Sequence, residues 1–414
     1  MSVLREAFFN GTAVRPRSAH AVWSLAGAAL CALCLLGLAG CGQLGRDPPE
    51  PVADISRTTV LDLSNARYFI EGDPAPVVAE YRRAYAREEA YFTSVHRPLP
   101  DANYLAISGG GDNGAFGAGI LVGWSEHGSR PRFKAVTGVS AGALLAPFAF
   151  VGPQDDQALA EILTNIDQKN VFEKRPIFAA IASDALTDTT PLSELIARYV
   201  DERMVADIAR EYGRGRLLFI ATTNLDAGQS VIWNIGAIAQ SRHPDAVKLI
   251  RRILLASASI PAIFPPVMFD VTYDGGTYQE LHVDGGAISQ AFLYPPTIAL
   301  GKLGGIGKRS RTAYIIRNGK VRVDAAPTER RTLPIATRAV SALTTSNGVG
   351  DLYRLYTTTK RDGVGFRLAF IEDDFKATHE NEFDRTYMTQ LFEYGRAKAR
   401  SGYPWRQAPP GLAE

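Results

Sequence analysis

The stretch Tyr104-Leu105-Ala106-Ile107-Ser108-Gly109-Gly110-Gly111-Asp112-Asn113-Gly114, followed by Phe133-Lys134-Ala135-Val136-Thr137-Gly138-Val139-Ser140-Ala141-Gly142, decides the fold. Tyr104 to Ile107 is apolar and strand-like, Ala115 to about Glu126 reads as a helix, and Phe133 to Val136 is a second apolar run. Strand, glycine loop, helix, strand and serine turn fit one right-handed βαβ unit of about 30 residues or more. Such a unit sets its two loops side by side at the strands' carboxyl ends.

Gly138-Val139-Ser140-Ala141-Gly142 has the G-x-S-x-G form of a nucleophile elbow. Glycines at 138 and 142 remove the Cβ atoms that would block a strained turn presenting the serine hydroxyl. The earlier loop can turn backbone N–H groups towards a point above Ser140, as an oxyanion formed by serine attack on an ester requires. Gly109-x-Gly111-x-x-Gly114 also matches a dinucleotide fingerprint, which expects an acid at the end of the next strand. That strand ends in Val136-Thr137-Gly138, so nucleotide binding is not expected. Gly307-Lys308 is followed by Arg309, not by the Ser or Thr of a phosphate-binding Walker loop.

A serine nucleophile needs a base. Of six histidines only His282 tempts, because it lies two residues before Asp284 and shares its face on a strand. Two Asp-Gly-Gly sequences compete as the source of an aspartate. Asp274-Gly275-Gly276 joins two strand-like runs through a short polar link, which reads as a hairpin turn. Asp284-Gly285-Gly286 closes the second run and leads into Ala287-Ile288, not into a returning strand.

These motifs together resemble the patatin-like phospholipase family over roughly Tyr104 to Pro296, including Ala256-Ser257-Ala258-Ser259-Ile260-Pro261-Ala262-Ile263-Phe264-Pro265-Pro266 before the last motif. The resemblance implies a lipid acyl hydrolase with a Ser–Asp dyad in an α/β/α sandwich. It assigns Ser140 as nucleophile, Asp284 as proton acceptor and His282 to a structural part. The oxyanion loop is Gly109, Gly110, Gly111, Asp112, Asn113 and Gly114, with Ala141 from the elbow; the N–H groups of Gly110, Gly111 and Ala141 are the expected donors. The family's Asn-x-Pro after the Asp-Gly-Gly motif is missing, and Ser289-Gln290 stands in that region. Acyl transfer from the same acyl-enzyme, or an inactive binding module, are the alternatives.

The chain has 414 residues, 46% hydrophobic and 21% charged, with a formal charge of +2. That is ordinary globular composition, without the concentrated basic stripe of a nucleic-acid partner. No His/Cys/Asp cluster has metal-ligand spacing, and no cofactor is expected. The three cysteines, at 31, 34 and 41, all sit near the N-terminus. Arg15 and Arg17 precede an apolar stretch from Ala21 to Leu38, which ends in Leu38-Ala39-Gly40-Cys41. This is the pattern of a secretory signal, with a plain transmembrane anchor as its rival. The ending resembles a bacterial lipobox, which implies a lipidated Cys41 and a place in the bacterial cell envelope. Gly42 after the cysteine is similar to lipoproteins released to the periplasmic face of the outer membrane.

The expected organisation is a signal peptide over 1–40, a proline-bearing tether over 41–59 and an N-terminal helical extension over 60–103. The patatin-like domain spans 104–296, and 297–414 is a C-terminal α/β extension packed on it. Strands alternating with helices predict a three-layer α/β fold with a mainly parallel central sheet.

Overall fold

The computed structural model describes residues 45–49, 51–69, 71–174, 183–300, 309–322, 327–379 and 381–412. The predicted signal, its cysteines and Cys41 lie outside the described residues. In chain order the structure gives β1 (Arg67–Phe69), α1 (Ala75–Ser94), β2 (Ala102–Ile107), α2 (Gly114–Glu126), β3 (Phe133–Val139) and α3 (Ala141–Val151). Then come α4 (Asp156–Asn165), α5 (Gln168–Val171), the two-residue strands β4 (Glu173–Lys174) and β5 (Thr187–Asp188), α6 (Thr190–Tyr199) and α7 (Glu202–Gly213). β6 (Leu217–Asn224), β7 (Gln229–Asn234), α8 (Ile235–Gln240) and α9 (Ala246–Ser257) precede the hairpin β8 (Val267–Tyr273) and β9 (Gly276–Asp284). The chain closes with β10 (Arg311–Arg317), α10 (Thr332–Arg361), β11 (Gly365–Phe370) and α11 (Arg385–Arg400).

The main sheet runs β1-β7-β6-β3-β2-β10-β11. Its five strands from β6 to β11 are parallel, while β7 and β1 add an antiparallel edge. Every residue of β3 and β6 is buried, as central parallel strands covered on both faces must be. Leu105, Ile107, Leu218 and Ile220 face one apolar cluster with Phe116, Leu145, Ile253 and Leu391 from α2, α3, α9 and α11. Tyr104, Ala106, Leu217 and Phe219 face the other, with Val77 from α1 and Leu352 from α10. This strict alternation between two cores is the three-layer α/β/α arrangement that the sequence predicts.

Three flanking regions are placed in ways the sequence does not show. Arg46 makes a two-pronged ion pair with Asp226 at 2.6 and 2.9 Å, and Pro48 accepts the Gln279 N–H, so part of the expected tether is held on the β6–β7 turn and on β9. The N-terminal extension supplies the edge strand β1 as well as a helix. The C-terminal region is woven into the sheet, because β10 pairs with the outer edge of β2 and β11 pairs with β10. Its helix α11 lies against α2, where glycines let backbone meet backbone. A Cβ at Gly119 would stand 2.1 Å from the Phe392 carbonyl oxygen, and one at Gly123 would stand 2.2 Å from that of Arg396.

Candidate active site

The register of the sheet builds the site. β6 pairs with β3 up to Ala221, which lies opposite Val139; from the next residue, Thr222, the same edge pairs with β9, beginning at Asp284. Val139 is followed directly by Ser140, so two strands distant in sequence end against consecutive residues of β6. The Ser140 hydroxyl is accordingly a side-chain partner of the Asp284 carboxylate.

Ser140 has φ 55° and ψ −124°, a left-handed conformation that a non-glycine residue adopts only when its surroundings hold it. The turn leaves no space for side chains on either flank. A Cβ at Gly142 would lie 2.2 Å from the Ile107 carbonyl oxygen, and one at Gly138 would lie 2.5 Å from that of Gly142. The Ser140 N–H is donated to Ser257 Oγ at 3.0 Å, and that hydroxyl donates to the Ala221 carbonyl at 2.7 Å. Two residues on, the Ser259 carbonyl accepts the Asp284 N–H at 2.8 Å. The segment Ala256–Pro266 thus ties down both the serine and the aspartate.

Asp284 Oδ1 accepts the Gly286 N–H at 2.7 Å. Burial pushes its carboxyl up to about 7, against the opposing pull of the Ser140 hydroxyl and the Gly286 N–H. A carboxylate of ordinary acidity is a poor base for a hydroxyl, and burial narrows that mismatch. Asp274 stands elsewhere, in the β8–β9 turn, with φ 47° beside Gly275 at φ 76°. Its part is the turn predicted for it.

His282 is fully buried and both of its ring nitrogens have partners other than the serine. Its Nδ1 pairs with Thr222 Oγ1 and its Nε2 with Glu280, both at 2.8 Å, and its ring packs 4.8 Å from Phe269. Burial pushes the imidazole down despite the neighbouring Glu280. Burial also works against ionisation of Glu280, but Arg67 and His282 outweigh it and hold the carboxyl down at about 2. Arg67 grips both Glu280 oxygens, at 2.5 and 2.8 Å. This network pins β1 to β9.

The glycine loop is divided in its labour. Gly109, which the loop contains but which is not among the expected donors, gives its N–H to the Gln290 carbonyl at 3.1 Å. The Asn113 N–H goes to the Gly110 carbonyl, and the Gly114 N–H to those of Gly111 and Asp112. Gly111, with φ 57°, opens the short 3-10 turn Gly111–Asn113, and Ala141 opens α3. First positions of helices carry N–H groups without intrahelical acceptors, so Gly111 and Ala141 keep donors to offer.

The loop is braced by residues that the motif does not contain. Asn318, just beyond β10, donates from Nδ2 to the Ser108 carbonyl and accepts the Gly117 N–H on Oδ1. Gln290 donates from Nε2 to the Gly286 carbonyl, joining the Asp-Gly-Gly turn to the glycine loop through its own backbone. Asp351 of α10 accepts the N–H groups of Gln290 and Ala291 and the Ser289 hydroxyl. Gln290 occupies the region of the missing Asn-x-Pro. Asp112 and Asn113 turn their side chains to the C-terminal segment, where Asp112 accepts the Phe383 N–H and Asn113 accepts the Tyr387 hydroxyl.

Ser140 lies at the floor of a cavity bordered by Gly111, Ala141, Leu144, Leu163, Phe264 and Phe383. The walls are hydrocarbon almost throughout. Among the described residues there is no group of three His, Cys, Asp or Glu side chains placed to hold a metal ion. Nor is any described helix long and apolar enough to cross a membrane.

A mainly parallel sheet with helices on both faces, a strained serine after one strand and an aspartate entering from a hairpin make up an α/β/α arrangement. Residues 105–295 match the family model described as "Patatin-like phospholipase". It is 28% identical over 191 residues to the uncharacterized protein YqhO of Bacillus subtilis, covering 44% of this chain and 62% of the relative. The chain thus spans about three-fifths of that relative's length. VipD of Legionella pneumophila is a solved structure found similar at 11% identity, with a TM-score of 0.35, over 74% of this chain and 68% of VipD.

Proposed function

We propose that the protein is a serine-dependent lipid acyl hydrolase of the phospholipase, lysophospholipase or esterase type. The observation that carries this reading is Ser140 beside a buried Asp284 at the floor of an apolar cavity. In the proposed reaction the fatty-acyl chain lies in the cavity and the ester carbonyl stands over Ser140. Asp284 accepts the hydroxyl proton as Oγ bonds to the carbonyl carbon, and the N–H groups of Gly110, Gly111 and Ala141 receive the oxyanion. Asp284 returns the proton to the leaving alcohol, leaving an acyl-serine. Water, deprotonated by the same carboxylate, then releases the fatty acid and restores the serine. Each oxyanion donor of this kind is worth ~10²–10³ in rate.

Fluorophosphonate labelling of the soluble body, with peptide mapping, tests this directly. Labelling at Ser140 that is lost in Ser140→Ala and Asp284→Asn, together with release of fatty acid from phospholipid or lysophospholipid vesicles, is the expected outcome. A folded protein that neither labels nor releases fatty acid would refute it.

We also propose that Cys41 is lipidated and that the body is held at the cell envelope. This rests on the n-region, apolar core and Leu38-Ala39-Gly40-Cys41 ending. Metabolic incorporation of labelled palmitate into the intact chain, and its loss in Cys41→Ser, is the test.

A further inference from the structure

Phe383 has φ 59°, in the left-handed region, although it is not glycine. A bulky residue stays there only when other contacts hold it. Its N–H is donated to Asp112 Oδ2 at 3.2 Å, and the same carboxylate oxygen lies 3.2 Å from His379 Nε2. Asn113 Oδ1, on the next residue of the loop, accepts the Tyr387 hydroxyl at 2.6 Å. The His379 ring lies against that of Tyr387, with centroids 4.1 Å apart. Two consecutive side chains of the glycine loop therefore grip one short strap of chain. That strap lies outside the family match, which ends at residue 295.

The far side of Phe383 faces the substrate space. Its ring borders the apolar cavity and meets Phe172 edge to face, 6.1 Å between centroids. Met388, a turn further along, borders the cavity as well. The backbone of one residue is thus fixed by the loop that presents oxyanion donors, while its side chain bounds the room for an acyl chain. Packing alone would need Phe383 to be apolar; it would not need a buried carboxylate aimed at its amide.

We propose that Phe383 is a specificity-determining residue that limits the acyl chain, and that Asp112 is the positioning residue that holds it in place. Acyl-chain length is then read by the same loop that serves the reacting carbonyl. This rests on the lipid-hydrolase reading of the cavity, so the test includes a measurement that needs no turnover.

Binding of laurate and palmitate is measured by displacement of cis-parinaric acid, beside hydrolysis of p-nitrophenyl laurate and palmitate. Phe383→Ala should raise the palmitate-to-laurate preference by about tenfold in both assays, as a change of a methylene or more in an apolar pocket does. Asp112→Ala should move that preference the same way by several-fold, and Asp112→Asn should leave it near wild type, since its amide oxygen still accepts the Phe383 N–H. The double variant Asp112→Ala/Phe383→Ala should show no shift beyond Phe383→Ala alone, because the two act through one contact. Where Asp112→Ala fails to fold, Tyr387→Phe carries the same test by loosening the Asn113 grip. A preference unmoved by Phe383→Ala, or additive shifts in the double variant, overturns the proposal, as does a wild-type protein that binds no fatty acid. Wild-type protein that binds fatty acids yet hydrolyses no ester defeats the hydrolase reading instead, and the binding preferences then decide the strap on their own.

Discussion

Replacing Asp284 by asparagine should remove activity and, at neutral pH and above, make the protein more stable. The carboxyl is pushed from 3.8 to about 7 by burial in the native state. A folded protein that holds this proton where the unfolded chain releases it loses stability as pH rises between the two values. Below about pH 4 the carboxyl is neutral in both states and its burial costs little. Above about pH 7 it is charged in both, and the full penalty of an ionised group in a dry site applies. At about 1.4 kcal/mol per pH unit, the rise corresponds to about 4 kcal/mol, an upper figure that relaxation of the site will reduce. The side-chain amide of the Asp284→Asn variant is neutral throughout, and its oxygen can still accept the Gly286 N–H. Urea unfolding of wild type and Asp284→Asn across pH 4 to 9 measures the difference, in which other titrating groups cancel. The difference should grow in favour of the variant between about pH 4 and 7 and then level off. A difference that stays flat with pH would show that Asp284 holds no extra proton in the folded state, and the account of its basicity would fall. The same ionisation should make wild-type kcat/KM rise with pH through about 7, since only the carboxylate can take the serine proton.

Ser140→Gly should abolish labelling yet be more stable to heat than Ser140→Ala, by about 1 kcal/mol, because only glycine relaxes the left-handed turn; equal melting points would deny the strain. Ser257→Ala strips the acceptor from the Ser140 N–H, and should cost roughly 1–3 kcal/mol in unfolding and about tenfold or more in kcat. His282→Gln should lose a comparable amount of stability while keeping kcat within a few-fold, and a loss of several orders in kcat would revive the histidine as a base. Glu280→Ala leaves the Arg67 guanidinium buried without its partner, so a loss of about 3–5 kcal/mol is expected in the same unfolding assay.

Local patterns made much of this molecule legible. The βαβ unit and the β8–β9 hairpin follow from periodicity and turn chemistry, which act within a few residues. Asp274 could be set apart from Asp284 for the same reason: a short polar link between two strands declares itself. What stayed hidden depends on contacts between distant segments. Gly109 is not among the expected donors, but that its N–H is taken by the Gln290 carbonyl depends on a residue far along the chain. Ser257 and Ser259 sit in a segment whose resemblance was visible but whose task was not, since both bonds cross to other strands. Asp351, Asn318 and Phe383 lie where no motif extends, and reach the site because β10 and α11 bring the C-terminal region to it. The acidity of Asp284 likewise belongs to its surroundings, not to its neighbours in the chain.

The glycine seam between α2 and α11 bears on how divisible this protein is. Backbone at Gly119 and Gly123 touches backbone at Phe392 and Arg396 with no space for even a methyl group. A gene fragment cut at residues 105 and 295 would leave that seam open on one side, and would bare the edge of β2 that β10 now covers. Such an edge invites pairing with other chains. The portion defined by its motifs is therefore smaller than the portion able to exist alone. Substitutions that open the seam would be inherited as solubility defects long before they registered as losses of chemistry.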